Sequence, residues 1–283
     1  MTVNVPDDPL HGLFAIARLT WTEARRTRVA LAAFVCAGLF LAVYGVAVFF
    51  VVRGVAPPLL QRQTQLELLT LVGLYVANFL TLAFSVMVPV DSISGEIDSG
   101  VMQTLASKPV SRPAIVLGKW FAFLALTAIY LLVVAGGVTL LVWLFTGFWQ
   151  PHLAAALPLM WLGAAVLLTL SIAGGTRFRT VTNGIVVFGF YAIAFVGGWI
   201  EEFGFILGNS ATRYIGTAIS LVSPVDALWR MAAHVMQPPL MQQLRLSPFS
   251  SEAVPSQAMV IWALGYLALT LLVALRHFSK RSL

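Results

Sequence analysis

Charge and cysteine are both scarce in this sequence. Only 10% of the 283 residues are charged, whereas 59% are apolar and the mean hydropathy is +0.91. An ordinary soluble domain carries about 25% charged residues, so the composition excludes a soluble globular protein. The single cysteine, Cys36, excludes an intrachain disulfide and any metal site built from several thiolates. These shortages predict a polytopic membrane protein.

The sequence also lacks the motifs of common catalytic centres. Its four histidines are scattered, with no spacing that would set two metal ligands on one helical face. No G-x4-GK-[ST] motif occurs, because Gly118 and Lys119 are followed by Trp120 and lack the required preceding glycine. The chain therefore cannot hydrolyse ATP alone, and we predict no catalytic residue, no metal site and no cofactor site in it.

Six apolar runs are long enough to cross a bilayer, whose hydrocarbon core of about 30 Å needs about 20 helical residues. All six lack Asp, Glu, Lys and Arg, and a helix satisfies its backbone polar groups internally. The predicted spans are 29–52, 68–90, 120–145, 153–173, 181–200 and 258–275. They predict an all-α membrane protein with a six-helix transmembrane domain over residues 29–275.

Basic residues are divided unevenly between the two sides of this topology. Only five of the 17 Lys and Arg residues lie on one side, namely Arg53, Arg62, Arg213, Arg230 and Arg245. The positive-inside rule then places both termini, 1–28 and 276–283, in the cytoplasm together with the loop 91–119. The long outer loop is 201–257. Ion-coupled carriers bury charges at the bilayer midplane, so the charge-free spans indicate that the energy comes from elsewhere.

The N-terminal segment contains an amphipathic helix. Apolar residues that include Phe14 and Trp21 recur at helical spacing, while Arg25 and Arg26 fall on other faces. Trp21 would lie at the headgroup level, and the arginines would contact anionic membrane lipid. A basic flank that only sets topology accounts equally well for the arginines taken alone.

The cytoplasmic loop 91–119 contains a second short helix. Its apolar stripe consists of Ile93, Ile97, Val101 and Leu105. Glu96 lies on the polar side, and Pro109 ends the helix so that the chain turns before Arg112. Such a stripe needs a surface to pack against, either the protein's own helix ends or a cytoplasmic partner.

Residues of this loop resemble a family signature. Their order and spacing are similar to the E-x3-G-x4-L-x3-P-x2-R-x6-K pattern of the permease subunits of ABC-2 type transporters. The matching residues are Glu96, Gly100, Leu105, Pro109, Arg112 and Lys119.

The resemblance implies a type V ABC exporter-like fold in which this loop is a coupling helix that docks on an ATPase subunit. The residues implied in ATPase coupling are Glu96, Ile97, Gly100, Val101, Leu105, Pro109 and Arg112. The N-terminal helix would be the family's elbow helix. The resemblance further implies a second copy of the permease, two ABC ATPase subunits that hold ATP and Mg, and a bacterial inner membrane. No nucleic acid is expected as a partner.

A second match lies in the outer loop. Ser223, Pro224, Asp226 and Arg230, in the segment SPVDALWRM, resemble a segment of NosY-like permeases, which would imply a periplasmic accessory subunit. Ser223 and Pro224 are also typical of a helix start. An apolar stripe that includes Trp229 predicts a helix in the outer membrane interface or a lid over the pore.

Glycines interrupt the apolar run at the end of the fifth span. Gly197 and Gly198 predict a broken, re-entrant segment, since irregular backbone survives at membrane depth only where protein or a watery cavity covers it. The resemblance agrees, because ABC-2 permeases carry short re-entrant helices at this point. Glu201 and Glu202 are then either exposed loop carboxylates or acidic residues that guard the outer exit.

The favoured function is therefore a permease subunit of an ATP-driven transporter that forms the translocation path as a dimer and exports its cargo. The main alternative is an ATP-independent channel or secondary carrier, which would need a charged or carbonyl-lined path that the spans do not show. The cargo stays open, because charge-free spans give no chemical indication of it.

Overall fold

The computed structural model describes residues 9–54, 59–98, 111–237 and 255–280, and these residues form ten helices. The helices are α1 (Pro9–Ala24), α2 (Arg28–Arg53), α3 (Leu59–Met87), α4 (Ser94–Asp98), α5 (Arg112–Thr146), α6 (Leu153–Gly175), α7 (Thr180–Ile206), α8 (Ser210–Val222), α9 (Val225–Met236) and α10 (Ala258–Lys280). Six of them are long and apolar enough to cross a membrane: α2, α3, α5, α6, α7 and α10. The protein thus has the all-helical, six-span architecture that the sequence predicts.

Several helices extend beyond the predicted apolar spans. α3 begins at Leu59 rather than at 68, and α7 continues to Ile206 rather than ending at 200. The added turns of these two helices carry Glu67 and Glu201. A charge-free run marks only the part of a helix suited to hydrocarbon, whereas backbone hydrogen bonding continues through polar residues.

The longest helix is α5. It begins at Arg112 with Pro113 in its first turn and ends at Gly147, whose φ of 71° is the left-handed conformation that glycine adopts easily. The predicted span at this position began only at residue 120. A helix of 35 residues is about 50 Å long and exceeds a hydrocarbon core of about 30 Å. α5 is therefore longer than a bilayer core requires.

α2, α3 and α5 cross closely. A Cβ atom at Gly73 of α3 would lie 2.7 Å from both the Tyr44 ring of α2 and Val138 of α5, so only glycine fits there. The Tyr44 hydroxyl donates a hydrogen bond of 2.9 Å to the Leu69 carbonyl. By contrast, α2 and α10 bury only 17% and 11% of their apolar stretches within the chain. Most of their apolar surface is therefore not covered by the described part of the chain.

α7 and α8 form a helical hairpin. The helix α7 runs unbroken through Gly197 and Gly198, and the chain reverses only at 207–209, where Gly208 has a φ of 65°. Asn209 then caps α8 by accepting hydrogen bonds from two backbone N–H groups. The break therefore comes later than the glycine pair indicated. A Cβ atom at Gly197 would overlap Ile219 of α8, so this glycine allows the two helices to pack closely.

α9 is buried in the bundle. Nine of its twelve residues are buried, and it packs on α6, where Gly163 leaves room for the backbone of Val225. Its place in the outer membrane interface or as a lid over the pore stays a prediction. Apolar residues occupy more than one face of α9, and other helices of the chain cover them.

These contacts define two ends of the bundle. The α4 end carries α4 and the first turns of α5 and α7, and α1 packs there, with Ile16 against Gly118. The hairpin end carries the α7–α8 turn and α9, and Trp262 of α10 donates a hydrogen bond to the Leu221 carbonyl there.

Candidate functional site

An ion pair holds α4 on α5. The Lys119 ammonium contacts Oε1 of Glu96 and donates a hydrogen bond of 2.8 Å to the Ser92 carbonyl. The Lys119 side chain is only 3% exposed and that of Glu96 is 21% exposed. Burial of an ammonium group is costly unless it is paired and hydrogen-bonded. The pair therefore fixes α4 in one orientation, and its members are the first and last residues of the sequence signature.

The start of α4 also contacts α7. The hydroxyls of Ser94 and Thr180 lie 2.9 Å apart, and Thr180 donates a hydrogen bond of 2.6 Å to Oδ1 of Asp91. Ile93, which precedes α4, is buried, and a Cβ atom at Gly175 of α6 would lie 3.5 Å from its Cβ. The short helix is thus attached to α5 on one side and to α7 on the other.

Three of the seven residues implied in ATPase coupling lie in the described part of the chain. Glu96 forms the ion pair, and Ile97 follows it in α4. Arg112 begins α5 and donates a hydrogen bond of 3.3 Å to the Ser279 carbonyl, near the end of α10. The other four lie outside the described residues: Gly100, Val101, Leu105 and Pro109.

The residues predicted for the elbow helix lie on α1 and just after it. Phe14 is 69% exposed, whereas Trp21 is half-buried against the core. Arg25 and Arg26 are exposed at the turn between α1 and α2. Exposed apolar and basic side chains along one short segment are typical of a helix at the lipid headgroup region, and the lipid contact stays a prediction.

At the hairpin end, Arg230 of α9 joins three helices. Its Nη2 donates hydrogen bonds to Oε2 of Glu201 on α7 at 2.8 Å and to Oγ of Ser220 on α8 at 3.1 Å. Its Nε lies 3.1 Å from Oδ2 of Asp226, one turn earlier on α9. Glu201 also accepts a hydrogen bond of 3.0 Å from Thr217. The interpretation of Glu201 as an exposed loop carboxylate is wrong, because α7 continues through it.

Carboxylates outnumber the guanidinium group in this cluster. Burial raises the pKa of Asp226 to about 6; the Arg230 charge opposes this rise, and the charges of Glu201 and Glu202 add to it. The Asp226 and Arg230 side chains are 14% and 9% exposed. In the described parts of the chain, no three His, Cys, Asp or Glu side chains are placed to hold a metal ion. The cluster is therefore an ion-pair network with a carboxyl group that titrates near pH 6.

The other residues predicted for the outer side surround this network. A Cβ atom at Gly198 would overlap the Asp226 carboxylate, so this glycine gives the carboxylate its space. Trp229 packs edge-on against Tyr75 of α3, with ring centres 5.4 Å apart. Ser223 ends α8 and Pro224 precedes α9. Residues that the sequence assigned to a gate and to a separate helix thus form one cluster.

Sequence analysis did not find these pairings. Glu96 and Lys119 are 23 residues apart, and Glu201 and Arg230 are 29 residues apart. One signal was present: Lys119 directly precedes a long apolar run, and a lysine at such a position needs an acidic partner if it is buried.

One family model matches residues from both ends of the bundle. The family model described as ABC-2 family transporter protein matches residues 14–283, which is almost the whole chain. No curated protein matches the chain.

Proposed function

Because residues 14–283 match this model, the chain belongs to the ABC-2 family of transporter proteins, and we propose that it is the permease subunit of an ATP-driven exporter. In this proposal two copies form the translocation path between them. Each copy binds a separate ATPase subunit that holds ATP and Mg. The chain itself is a multi-pass membrane protein that supplies the membrane-spanning part.

The attachment of α4 is the observation that carries the proposal. A segment that a partner pushes can move the membrane helices only if it is firmly joined to them. α4 is joined to α5 through Glu96 and Lys119, and to α7 through Ser94 and Thr180. Residues 99–110 carry Gly100, Leu105 and Pro109 of the family signature, and Arg112 begins α5. This arrangement supports docking of the ATPase at the α4 end.

The proposal also includes the orientation in the membrane, the direction of transport and the NosY-like subtype. The α4 end is placed in the cytoplasm because most basic residues, including Arg177 and Arg179 in the α6–α7 turn, belong to it. Export rests on the family resemblance. A NosY-like subtype with a periplasmic subunit rests on the segment 223–230, whose Arg230 already bonds within the chain. An outer partner would therefore bind elsewhere on the hairpin end.

Affinity purification tests the proposal. The tagged chain is isolated in mild detergent from its host, the bound proteins are identified by mass spectrometry, and ATP hydrolysis is measured. We expect an ATPase to be recovered with the chain. Glu96→Gln or Lys119→Met should weaken its binding about tenfold, equivalent to about 1.4 kcal/mol, because α4 loses its anchor. Glu23→Gln, at an exposed position of α1, is the matched control.

Two results would contradict the proposal. Recovery of the chain alone, without ATP hydrolysis, would reject the ATP-driven exporter, and ion flux through the pure chain in liposomes would then support a channel or carrier. Recovery of an ATPase that binds the Glu96→Gln variant as tightly as the parent would reject docking through α4.

A further inference from the structure

α7 is in polar contact with other elements at both of its ends. Its first residue, Thr180, bonds to Asp91 and lies against Ser94 of α4. Near its other end, Glu201 accepts hydrogen bonds from Arg230 of α9 and from Thr217 of α8. The helix has 27 residues and is about 40 Å long. One unbroken helix therefore joins the α4 end to the hairpin end.

α7 is also built to move as a rigid body. It contains no proline, the commonest cause of a sharp kink. The helix is continuous through all five of its glycines. At the adjacent pair, Gly197 and Gly198, Ile219 of α8 and Asp226 of α9 pack directly against the helix. A displacement at Thr180 is therefore carried along the helix to Glu201.

α5 makes a weaker connection between the same two ends. It holds Glu96 of α4 through Lys119, but its helix ends at Gly147. The contact with α9 comes beyond that point, from Gln150, which donates one hydrogen bond of 2.8 Å to the Met236 carbonyl. A neutral bond beyond the end of the helix is weaker than the charged pair between Glu201, which lies within α7, and Arg230 of α9.

We propose that α7 carries the movement of α4 to α8 and α9, and that Thr180 and Glu201 are the positioning residues at its two ends. This inference rests on the proposed function, in which the ATPase moves α4. When α4 shifts, Thr180 follows Asp91 and Ser94, and Glu201 pulls Arg230. Because Arg230 also bonds to Ser220 of α8, α8 and α9 move together.

A labelling experiment measures this movement without knowledge of the cargo. Cys36→Ser removes the single cysteine, and Tyr214→Cys places a thiol at a position of α8 whose side chain is 76% exposed. The chain and its ATPase are reconstituted in liposomes. The rate of reaction with a membrane-impermeant maleimide is then compared with and without ATP plus vanadate, at equal amounts of bound ATPase.

We expect ATP plus vanadate to change the labelling rate at least about threefold in the reference protein, a difference of about 0.6 kcal/mol. Thr180→Val and Glu201→Gln should each remove most of this change. The double variant should lose no more than the worse single variant, since both act on one path. Thr180→Ser, which keeps the hydroxyl, should restore the response. Thr182→Val makes the same substitution at an exposed position two residues along α7 and should keep it.

The possible failures are distinguishable. If no ATPase binds the reference chain, the proposed function fails and the inference fails with it. If the ATPase binds but nucleotide leaves the labelling rate unchanged, only the inference fails. A full response in Thr180→Val, or an equal loss in Thr182→Val, would likewise overturn the role of α7.

Discussion

The two ends of the bundle use buried charge differently. At the α4 end, Lys119 meets one carboxylate, Glu96, and the pair joins a five-residue helix to a long one. At the hairpin end, Arg230 meets two carboxylates, Glu201 and Asp226. The second cluster also joins three helices rather than two. A single pair orients a small element, whereas a network with surplus negative charge holds several helices and keeps one carboxyl group partly protonated near pH 6.

The two charge clusters also differ in how far water reaches them. Glu96 is 21% exposed, so water reaches the edge of the α4 pair, while the Arg230 network is almost closed to solvent. Water weakens an ion pair and lowers the cost of separating it. The Glu96–Lys119 pair is therefore the easier of the two to separate, and the polar contact between Ser94 and Thr180 also keeps α4 attached to the membrane helices.

The largest expected effect is a loss of stability when the Arg230 network at the hairpin end is broken. Arg230→Met leaves Glu201 and Asp226 buried without their cation, and removal of one partner of a buried pair costs about 3–5 kcal/mol. We expect a clear fall in the thermal unfolding midpoint of the detergent-solubilised protein. Arg62→Met, at an exposed position of α3, controls for the loss of one arginine. Equal midpoints for the two variants would show that the network adds nothing to stability.

Much of the fold could be predicted from the sequence, since span length and apolar runs are local properties. The six membrane-crossing helices and the N-terminal helix α1 follow from such runs and from helical periodicity. The helix ends could not be placed, because Glu67 and Lys119 continue helices that a charge-free window cuts short.

The candidate site could be predicted only as separate residues. Glu201, Asp226 and Arg230 were each identified, but as members of a gate and of an outer helix. Their contact depends on the reversal at 207–209 and on the packing of α8 along α7, which no local pattern encodes. The apolar residues of α9 predicted an interfacial helix or a lid over the pore, because hydropathy does not distinguish a surface that meets lipid from one that meets protein.

A smaller effect is expected on the pH dependence of stability, through Asp226 at the hairpin end. Folded Asp226 keeps its proton up to about pH 6, whereas the ordinary value is 3.8. The folded state therefore binds more protons between about pH 4 and pH 6, so the free energy of unfolding falls as pH rises through this window. The change is on the order of 2 kcal/mol. Thermal midpoints between pH 4 and pH 7 should show a shallower fall in Asp226→Asn than in the parent.

The control for this measurement is Glu23→Gln, which removes one carboxylate at an exposed position of α1. It should keep the slope of the parent. A slope that is the same in Asp226→Asn and in the parent would show that the Asp226 carboxyl is not held in its protonated form, and the contrast in charge between the two ends would disappear.

The smallest expected effect is the difference in stability between alanine substitutions at two glycines, each of which faces a carboxylate. A Cβ atom at Gly198 would overlap the Asp226 carboxylate, and one at Gly95 would overlap that of Asp91. Asp226 is buried and held by Arg230, so Gly198→Ala should cost about 1–3 kcal/mol through overpacking. Asp91 is exposed and accepts a hydrogen bond from Thr180, so its carboxylate can turn into solvent at the cost of that bond. Gly95→Ala should therefore cost about 0.5–1 kcal/mol, and the higher helix propensity of alanine offsets part of it.

The thermal unfolding midpoints of the two alanine variants show whether each carboxylate can move aside for the added methyl group. Gly189→Ala, in the middle of α7 with no described atom within 4 Å of the added methyl, gives the baseline for a glycine-to-alanine change in the same helix. A Gly198→Ala midpoint as high as that of Gly95→Ala would mean that the Asp226 carboxylate can move aside. The Arg230 network would then be a loose contact, and the contrast between the two carboxylates would disappear.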